Sequence, residues 1–470
     1  MKIIFSLIIL PILGAFLLPL IGLAAKVLRN TVAFLLVFVP LLLGLYLLPQ
    51  ILSGSPLVFI NNFNLGINFV LNADALALFM ALVSLFISAI IVLYSFDYIK
   101  HYPNQNEYYL LVVLFVGSMM GLVFSANLIF IYIFWELTAI CSWRLIGFFR
   151  EKEILLKADK SLLITMFGAL AMLLGFIMIY QQTGSFDLSS IKGVQLSSLT
   201  VFLILLGIFS KSATLPLQTW LPDAGVAPSP VTALLHAAVL VKIGVYFYAR
   251  IFIASAPVLP SMQVIVMSIL ALSAFVSAGA ALIEKDLKRI IAYSTISQIA
   301  FIFLGFCVSN SIGIAGALLF ILMHGLAKAG LFLCAGIVEH NAKTKDITKL
   351  GGLIKTMPWT AFAFLFCSFS IMGIPPFGGF FSKYMVISGA IASRQWFLVA
   401  IFMLSAIFTI LYLFRVFNMV FMGETKVEAK EKSGLMVGCV VSLAILSLLG
   451  GFFVNYPMQM IAVILKQVGI

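Results

Sequence analysis

Residues 234–250 read LLHAAVLVKIGVYFYAR. The run is apolar enough for a helix inside a bilayer, yet it carries Lys242 near its centre and His236 about two turns earlier. A soluble fold would place such a lysine at a surface. A membrane fold must give it water, a partner or a proton to exchange. Deciding between these settings decides the fold.

Composition selects the membrane. Of 470 residues, 63% are hydrophobic and only 9% are charged, too few to cover a soluble protein of this size. Apolar runs of about twenty residues recur from end to end, the length that spans a bilayer as a helix. Short alternating segments of the β-barrel kind are absent, and no strands are evident. The expected architecture is an all-α, polytopic membrane protein. Its spans are predicted at 3–25, 31–50, 73–95, 108–125, 127–148, 160–181, 199–220, 231–252, 262–283, 290–308, 312–338, 358–393, 396–422 and 434–455. That makes about fourteen helices. The first run, Ile3 to Ala25, is too long for the core of a typical signal peptide and leads straight into further spans, so it is read as a retained helix.

The cations then sort by loop. One side collects Lys26, Arg29, Lys100, Arg150, Lys152, Lys157, Lys160, Lys285, Lys288, Arg289, Lys343, Lys345, Lys349, Lys355, Lys426, Lys430 and Lys432. The other collects Lys2, Lys192, Arg250, Arg394 and Lys466. Positive loops face the cytoplasm, which places both termini outside a cell (inner) membrane. The net charge of +12 mostly reflects this bias and calls for no nucleic-acid partner; lipid is the expected surroundings. The five cysteines show no metal or cluster spacing, and no glycine-rich nucleotide fingerprint follows a strand. No cofactor is expected, and no redox site.

Six cations remain inside spans: Arg144, Lys211, Lys242, Lys328, Lys383 and Arg415. A charge at the bilayer centre costs about 3 kcal/mol even on forgiving scales. Snorkelling to the headgroups accounts for Arg144 and Arg415, both near a cytoplasmic end. It does not account for Lys211, Lys242 or Lys383. Lys242 lies about eleven residues into its helix, roughly 17 Å deep at 1.5 Å per residue. Glu136 is the matching mid-span acid, and a buried acid and lysine neutralise each other best by pairing. One carboxylate cannot serve three lysines. Burial disfavours the charged form of an ammonium, so the remainder suit a proton relay. His236 and His324 add groups that titrate near neutrality, and Lys328 lies one turn beyond His324 on the same face. The plain alternative for each histidine is a hydrogen-bonded core residue. Tyr293, Ser294, Thr295, Ser297 and Gln298 either line a polar path or pack helix against helix.

Two spans are interrupted. Lys211 precedes Pro216 by five residues in the seventh span, and Pro375, Pro376, Gly378 and Gly379 cut the twelfth before Lys383. Proline inside a helix frees carbonyls, which are tolerated at depth only where they face protein or water. The breaks lie five spans apart. A five-helix repeat is necessarily inverted, so spans 4–8 and 9–13 are predicted as pseudo-symmetric halves. The chain is therefore divided into 1–107, 108–252 (uptake half), 262–422 (exit half) and 434–470.

These segments resemble a known family. KSATLPLQTWLPDAGVAPSPVTALLHAAVLVKIGVY (211–246) is similar to the signature of the antiporter-like proton-pumping subunits of respiratory complex I. The family includes Mrp-type sodium/proton antiporters and membrane-bound nickel–iron hydrogenases. EKDLKRIIAYSTISQIAF (284–301), HGLAKAGLFL (324–333) and GIPPFGGFFSKY (373–384) resemble further family segments in the same order. The resemblance covers essentially the whole chain. It implies that Glu136 is the helix-5 glutamate paired with Lys211, that Lys242 is the central helix-8 lysine, that His324 and Lys328 bridge on helix 11, and that Lys383 is the terminal residue near the exit. It also implies partnership with other antiporter-like and small membrane subunits, with H⁺ moved and Na⁺ as a further candidate. Lysine on helix 12 and the absence of a long lateral helix point to the D-type Mrp subunit or its hydrogenase counterpart. A Na⁺/H⁺ exchanger without redox coupling and a quinone-reducing subunit are the alternatives; the second lacks any ligand set for a redox centre.

Overall fold

The structure is a computed structural model that describes residues 2–62 and 68–470. The expected segment 1–107 includes residues 1 and 63–67, which lie outside them. The helices are α1 (Lys2–Ala24), α2 (Lys26–Leu52), α3 (Ala75–Tyr98), α4 (Gln105–Phe124), α5 (Leu128–Ile146), α6 (Lys152–Thr183), α7 (Ser198–Ser212), α8 (Trp220–Asp223), α9 (Ser229–Ala233), α10 (Leu240–Tyr248), α11 (Pro260–Ile283), α12 (Leu287–Cys307), α13 (Ser311–Ala342), α14 (Pro358–Met372), α15 (Gly378–Ala392), α16 (Trp396–Phe421), α17 (Gly434–Phe452) and α18 (Asn455–Val468). Among the described residues, twelve helices are long and apolar enough to cross a membrane, and 198–212 and 358–372 form two shorter apolar helices. The protein is a multi-pass membrane protein.

Three departures from the sequence reading have local causes. Strands do occur: β1 (Leu57–Asn62) and β2 (Asn68–Ala73) form an antiparallel hairpin between α2 and α3. Asp74 ends it, accepting from the Ala77 N–H and so capping α3. The eighth span is not a regular helix. It runs from Ser229 to Ile253 with π turns at Leu234–Ala238 and Ala249–Ile253, and Val239 leaves helical geometry (φ −127°, ψ −73°) between the first π turn and α10. The chain past α17 also continues, as the amphipathic helix α18, which buries Met460, Ile461 and Ile464.

Burial orders the helices. The span Ser229–Ile253 is buried almost throughout, as are α12 and α13, whereas α1, α2, α6 and α16 bury only about a third of their residues. Polar side chains are affordable only on helices surrounded by protein. α13 packs on α9, the first π turn, α12, α14, α15 and α17.

The two breaks share one geometry. α7 stops at Ser212, Ala213 turns left-handed (φ 52°), and the Thr214 N–H returns to the Phe209 carbonyl at 2.9 Å. α14 stops at Met372, Gly373 turns left-handed (φ 83°), and the Ile374 N–H returns to the Phe369 carbonyl at 3.0 Å. Such a bond satisfies a carbonyl at a helix C-terminus. Pro216 and Pro376 then follow cis peptide bonds. The loops match as well. Leu128 N–H bonds Phe186 O and Leu188 N–H bonds Ala126 O; each partner recurs 159 positions later, as Leu287 to Lys345 and Ile347 to Lys285. α6 and α13 are both 32 residues long, and α7 and α14 both 15.

Candidate functional site

The mid-span titratable groups of the relay lie on five spans: α5, α7, the eighth span, α13 and α15. α5 brings Glu136 and α7 brings Lys211, whose ammonium donates to the Trp135 carbonyl at 3.0 Å and lies 5.5 Å from the Trp135 ring centre. Glu136 is half-buried, and its Oε1 has no hydrogen-bond partner. Glu136 and Lys211 make no ion pair within 4.0 Å, unlike the direct pair expected from the sequence. The physical reason is that the lysine is held by the backbone one residue before the acid. Its neighbour Ser212 has a buried, unpartnered hydroxyl and packs against Gly244 of α10.

The lysine of the opening stretch sits two residues before that glycine. Lys242 Nζ is buried without a hydrogen-bond partner, and it lies against Gly325 of α13. His324, the preceding residue, is likewise buried with both ring nitrogens unpartnered. So is His236, in the first π turn, with its ring 4.4 Å from that of Phe332. Buried polar atoms are ordinarily bonded, and four unpaired imidazole nitrogens beside an unpaired ammonium make a site that protein atoms alone do not satisfy.

Beyond His324 the line divides. Lys328 donates to Ser294 Oγ at 2.5 Å and to the Ile291 carbonyl at 3.2 Å, and Tyr412 donates to the same Ser294 at 2.6 Å. Ser297 Oγ and Gln298 Oε1 are buried and unpartnered, while Thr295 is turned back onto the Ile291 carbonyl. Tyr293 stands beside Arg289, its ring centre 5.9 Å from the guanidinium. Of the five α12 residues, Ser297 and Gln298 therefore have unpartnered polar atoms, while Ser294 is held by Lys328 and Tyr412. Lys383 on α15 donates to the Ile371 carbonyl at 2.6 Å, at the break it follows. It lies 5.0 Å from the Phe301 ring centre and 5.8 Å from that of Phe320, and Phe320 in turn meets His324 at 5.9 Å. In the other break, Trp220 Nε1 donates to the Ser210 carbonyl at 2.9 Å.

The two remaining cations reach polar groups at helix ends. Arg144 pairs with Glu107, which also holds Arg150. Arg415 donates to the Leu282 and Glu284 carbonyls at 2.6 and 3.0 Å, capping the end of α11. Ser212, Gly325 and Tyr412 were not found from the sequence. A small or hydroxylated residue in an apolar run is too common a feature to single out without its neighbour.

The profile described as the membrane region of NADH:quinone oxidoreductase and the Mrp antiporter matches residues 125–409, and that of the N-terminus of complex I chain 5 matches residues 59–109. The A-type subunit of the Alkalihalophilus pseudofirmus Na⁺/H⁺ antiporter is 36% identical over 83% of this chain and 53% of its own length. The A1-type subunit of the Staphylococcus aureus Na⁺/H⁺ antiporter is 32% identical over 95% of this chain and 60% of its own. The chain thus spans between half and two thirds of these relatives. Both are A-type subunits, whereas the sequence pointed to a D-type subunit. Three solved chains share the fold. One from the Mrp complex of Dietzia sp. has a TM-score of 0.90 at 20% identity, covering 98% of this chain and 97% of its own. One from an archaeal membrane-bound sulfane sulfur reductase scores 0.90 at 22% identity, covering 100% and 98%. One from respiratory complex I of Thermus thermophilus scores 0.88 at 24% identity, covering 99% and 99%.

Proposed function

Because this chain belongs to the NADH:quinone oxidoreductase/Mrp antiporter membrane family, we propose that it is a proton-translocating subunit of a multi-subunit ion-pumping complex. The observation that carries the reading is the line of buried, unpartnered groups at His236, Lys242 and His324. A proton held near Glu136 and Lys211 passes Ser212 to Lys242 and His236, reaches His324 or Lys328, and leaves through Lys383. Water joins the groups that do not touch. A neighbouring antiporter-like subunit covers the half-buried Glu136 and disturbs its coupling to Lys211.

The architecture behind this is fourteen crossings, counting the two broken spans once each, in a cell membrane with both termini outside. Residues 108–252 and 262–422 form two inverted five-helix repeats, flanked by 1–107 and 434–470. The recurrence of loop hydrogen bonds 159 positions apart and the twin breaks support that pairing. Inversion places one broken helix toward each side, as alternating uptake and release require.

Glu136→Ala and Lys211→Ala test the relay in inverted vesicles holding the assembled complex. Each is expected to abolish proton-coupled transport; near-normal pumping by either removes that residue from the path. A second reading, exchange of H⁺ for Na⁺, is favoured by the relatives' names as Na⁺/H⁺ antiporter subunits. Sodium-dependent collapse of a preset pH gradient in the same vesicles distinguishes it.

A further inference from the structure

The relay needs a way in from the basic side, and a second ion pair stands outside the groups named so far. Lys288, in the first turn of α12, is buried, and its ammonium lies 2.5 Å from Glu339 Oε2 near the end of α13. The lysine's other contact is the Ala227 carbonyl, at 3.1 Å. Glu339 is partly exposed and lines a cavity of about 500 Å³ with Glu284, Lys285, Asp286, Lys343, Lys345 and Asp346. Within that cavity Lys345 and Asp286 pair with each other at 2.9 Å.

The inner side of Glu339 meets the eighth span. Ser229 Oγ donates to Glu339 Oε2 at 3.4 Å, and Tyr98 on α3 donates to Ser229 Oγ at 3.4 Å. Gly336, one turn before Glu339, leaves the space in which Ser229 approaches α13. Along the eighth span Ser229 is followed by Thr232 and His236, all three buried. Spacings of three and four keep successive members on one helix face. Thr232 Oγ1 donates to the Ser229 carbonyl at 2.9 Å. Ser229 and His236 are seven residues apart, about 10 Å by helical rise, so a short water chain completes the distance.

We propose that Glu339 and Lys288 form a gated port that admits protons from the basic-side cavity to His236 through Ser229 and Thr232. The port rests on the relay reading but uses residues outside it. Glu339 accepts a proton from cavity water and loses its charge, which leaves Lys288 held by the Ala227 carbonyl alone. The strain of an uncompensated buried ammonium makes that loaded state transient. The proton then passes to the hydroxyl line and Glu339 recovers its pairing. The groups around Glu339 are Lys288 from α12, Ser229 from α9, the hydroxyls of Tyr94 and Tyr98 on α3 and of Tyr102 just beyond it, His340 next in the chain, and the cavity residues named above. A pair that only stapled α12 to α13 would need neither the cavity on one side nor the hydroxyls on the other.

The test uses the intact complex in inverted vesicles with a pH-sensitive dye. Glu339→Gln is expected to slow proton uptake roughly tenfold or more, and Glu339→Asp to keep part of the rate. Glu339→Gln combined with Lys288→Met removes the unpaired charge, so a staple would recover in it and a port would stay slow. Wild-type uptake by Glu339→Gln, or recovery in the double variant, overturns the port. Lys211→Ala in parallel separates the two claims. If it blocks flux while Glu339→Gln does not, the port alone is wrong; if it leaves flux intact, the relay fails and the port loses its destination.

Discussion

Gly325→Ala tests whether the space around the Lys242 ammonium matters, without removing any titratable group. A Cβ at Gly325 would fall on Lys242 Nζ and stand 2.5 Å from Ile87 Cδ1, with the Ala237 carbonyl at 3.3 Å. Carbon contacts are comfortable at about 3.5–4.0 Å, so lysine and isoleucine must each yield by about 1 Å. Overpacking of this kind costs about 1–3 kcal/mol, offset by the roughly 0.5–1 kcal/mol that alanine gains over glycine in a helix. The complex should therefore assemble, with a melting point only slightly lowered. Proton transfer is far less tolerant, since a misplacement of about 1 Å can cost on the order of 10²-fold. The expected result is flux reduced roughly tenfold to a hundredfold. Gly330→Ala is the control: on the same helix, its Cβ would press on Cys367, away from every relay lysine. It should disturb packing comparably and leave flux near the parent rate. Normal pumping by Gly325→Ala, or equal losses in both variants, would refute the reasoning.

Lys383→Arg keeps the charge beside the Ile371 carbonyl but cannot release a proton, so flux measured with a pH dye should be lost; wild-type flux would make Lys383 a fixed charge. Arg250 and Asp74 form a buried ion pair, and Arg250→Gln leaves the acid uncompensated. Thermal unfolding should show a loss of about 3–5 kcal/mol, and an unchanged melting point would count against burial of that pair. Glu284 lies just past α11. Burial works against its charge, but Arg289 and the N–H groups of Lys285 and Asp286 outweigh this and hold its carboxyl below the usual value. A carboxyl lowered by folding stabilises the fold above its unfolded value, roughly pH 4, and that contribution disappears as pH falls through the folded value. Glu284→Gln should therefore be less stable at pH 7, by about 1 kcal/mol for a partly exposed group screened by solvent, with the difference closing in acid; a gap that persists there would assign it to packing.

Much of this fold was legible because the bilayer imposes its own rules. Span lengths and the prolines at 216 and 375–376 each follow from one physical requirement, and the breaks appear where those prolines lie. The strands at 57–62 and 68–73 escaped because neither lies in a long apolar run. α18 escaped because it is amphipathic and only fourteen residues long, below the twenty-residue criterion. The π turns around Lys242 are invisible to hydropathy, since an inserted residue shifts a helix face without changing its composition. At the site, residue types were readable and partners were not. Lys211 reaches the Trp135 carbonyl rather than Glu136, and Arg415 caps α11, because both contacts depend on how distant helices pack.

The central claim is that Lys242 carries protons, and Lys242→Met in the assembled complex tests it most directly. Methionine is similar in length and cannot be charged, so it relieves the buried ammonium instead of straining the fold. Assembly and melting point should be kept or improved, while proton flux in vesicles falls roughly 10²-fold or more. A Lys242→Met complex that pumps at the parent rate would contradict the account and send the proton by another route.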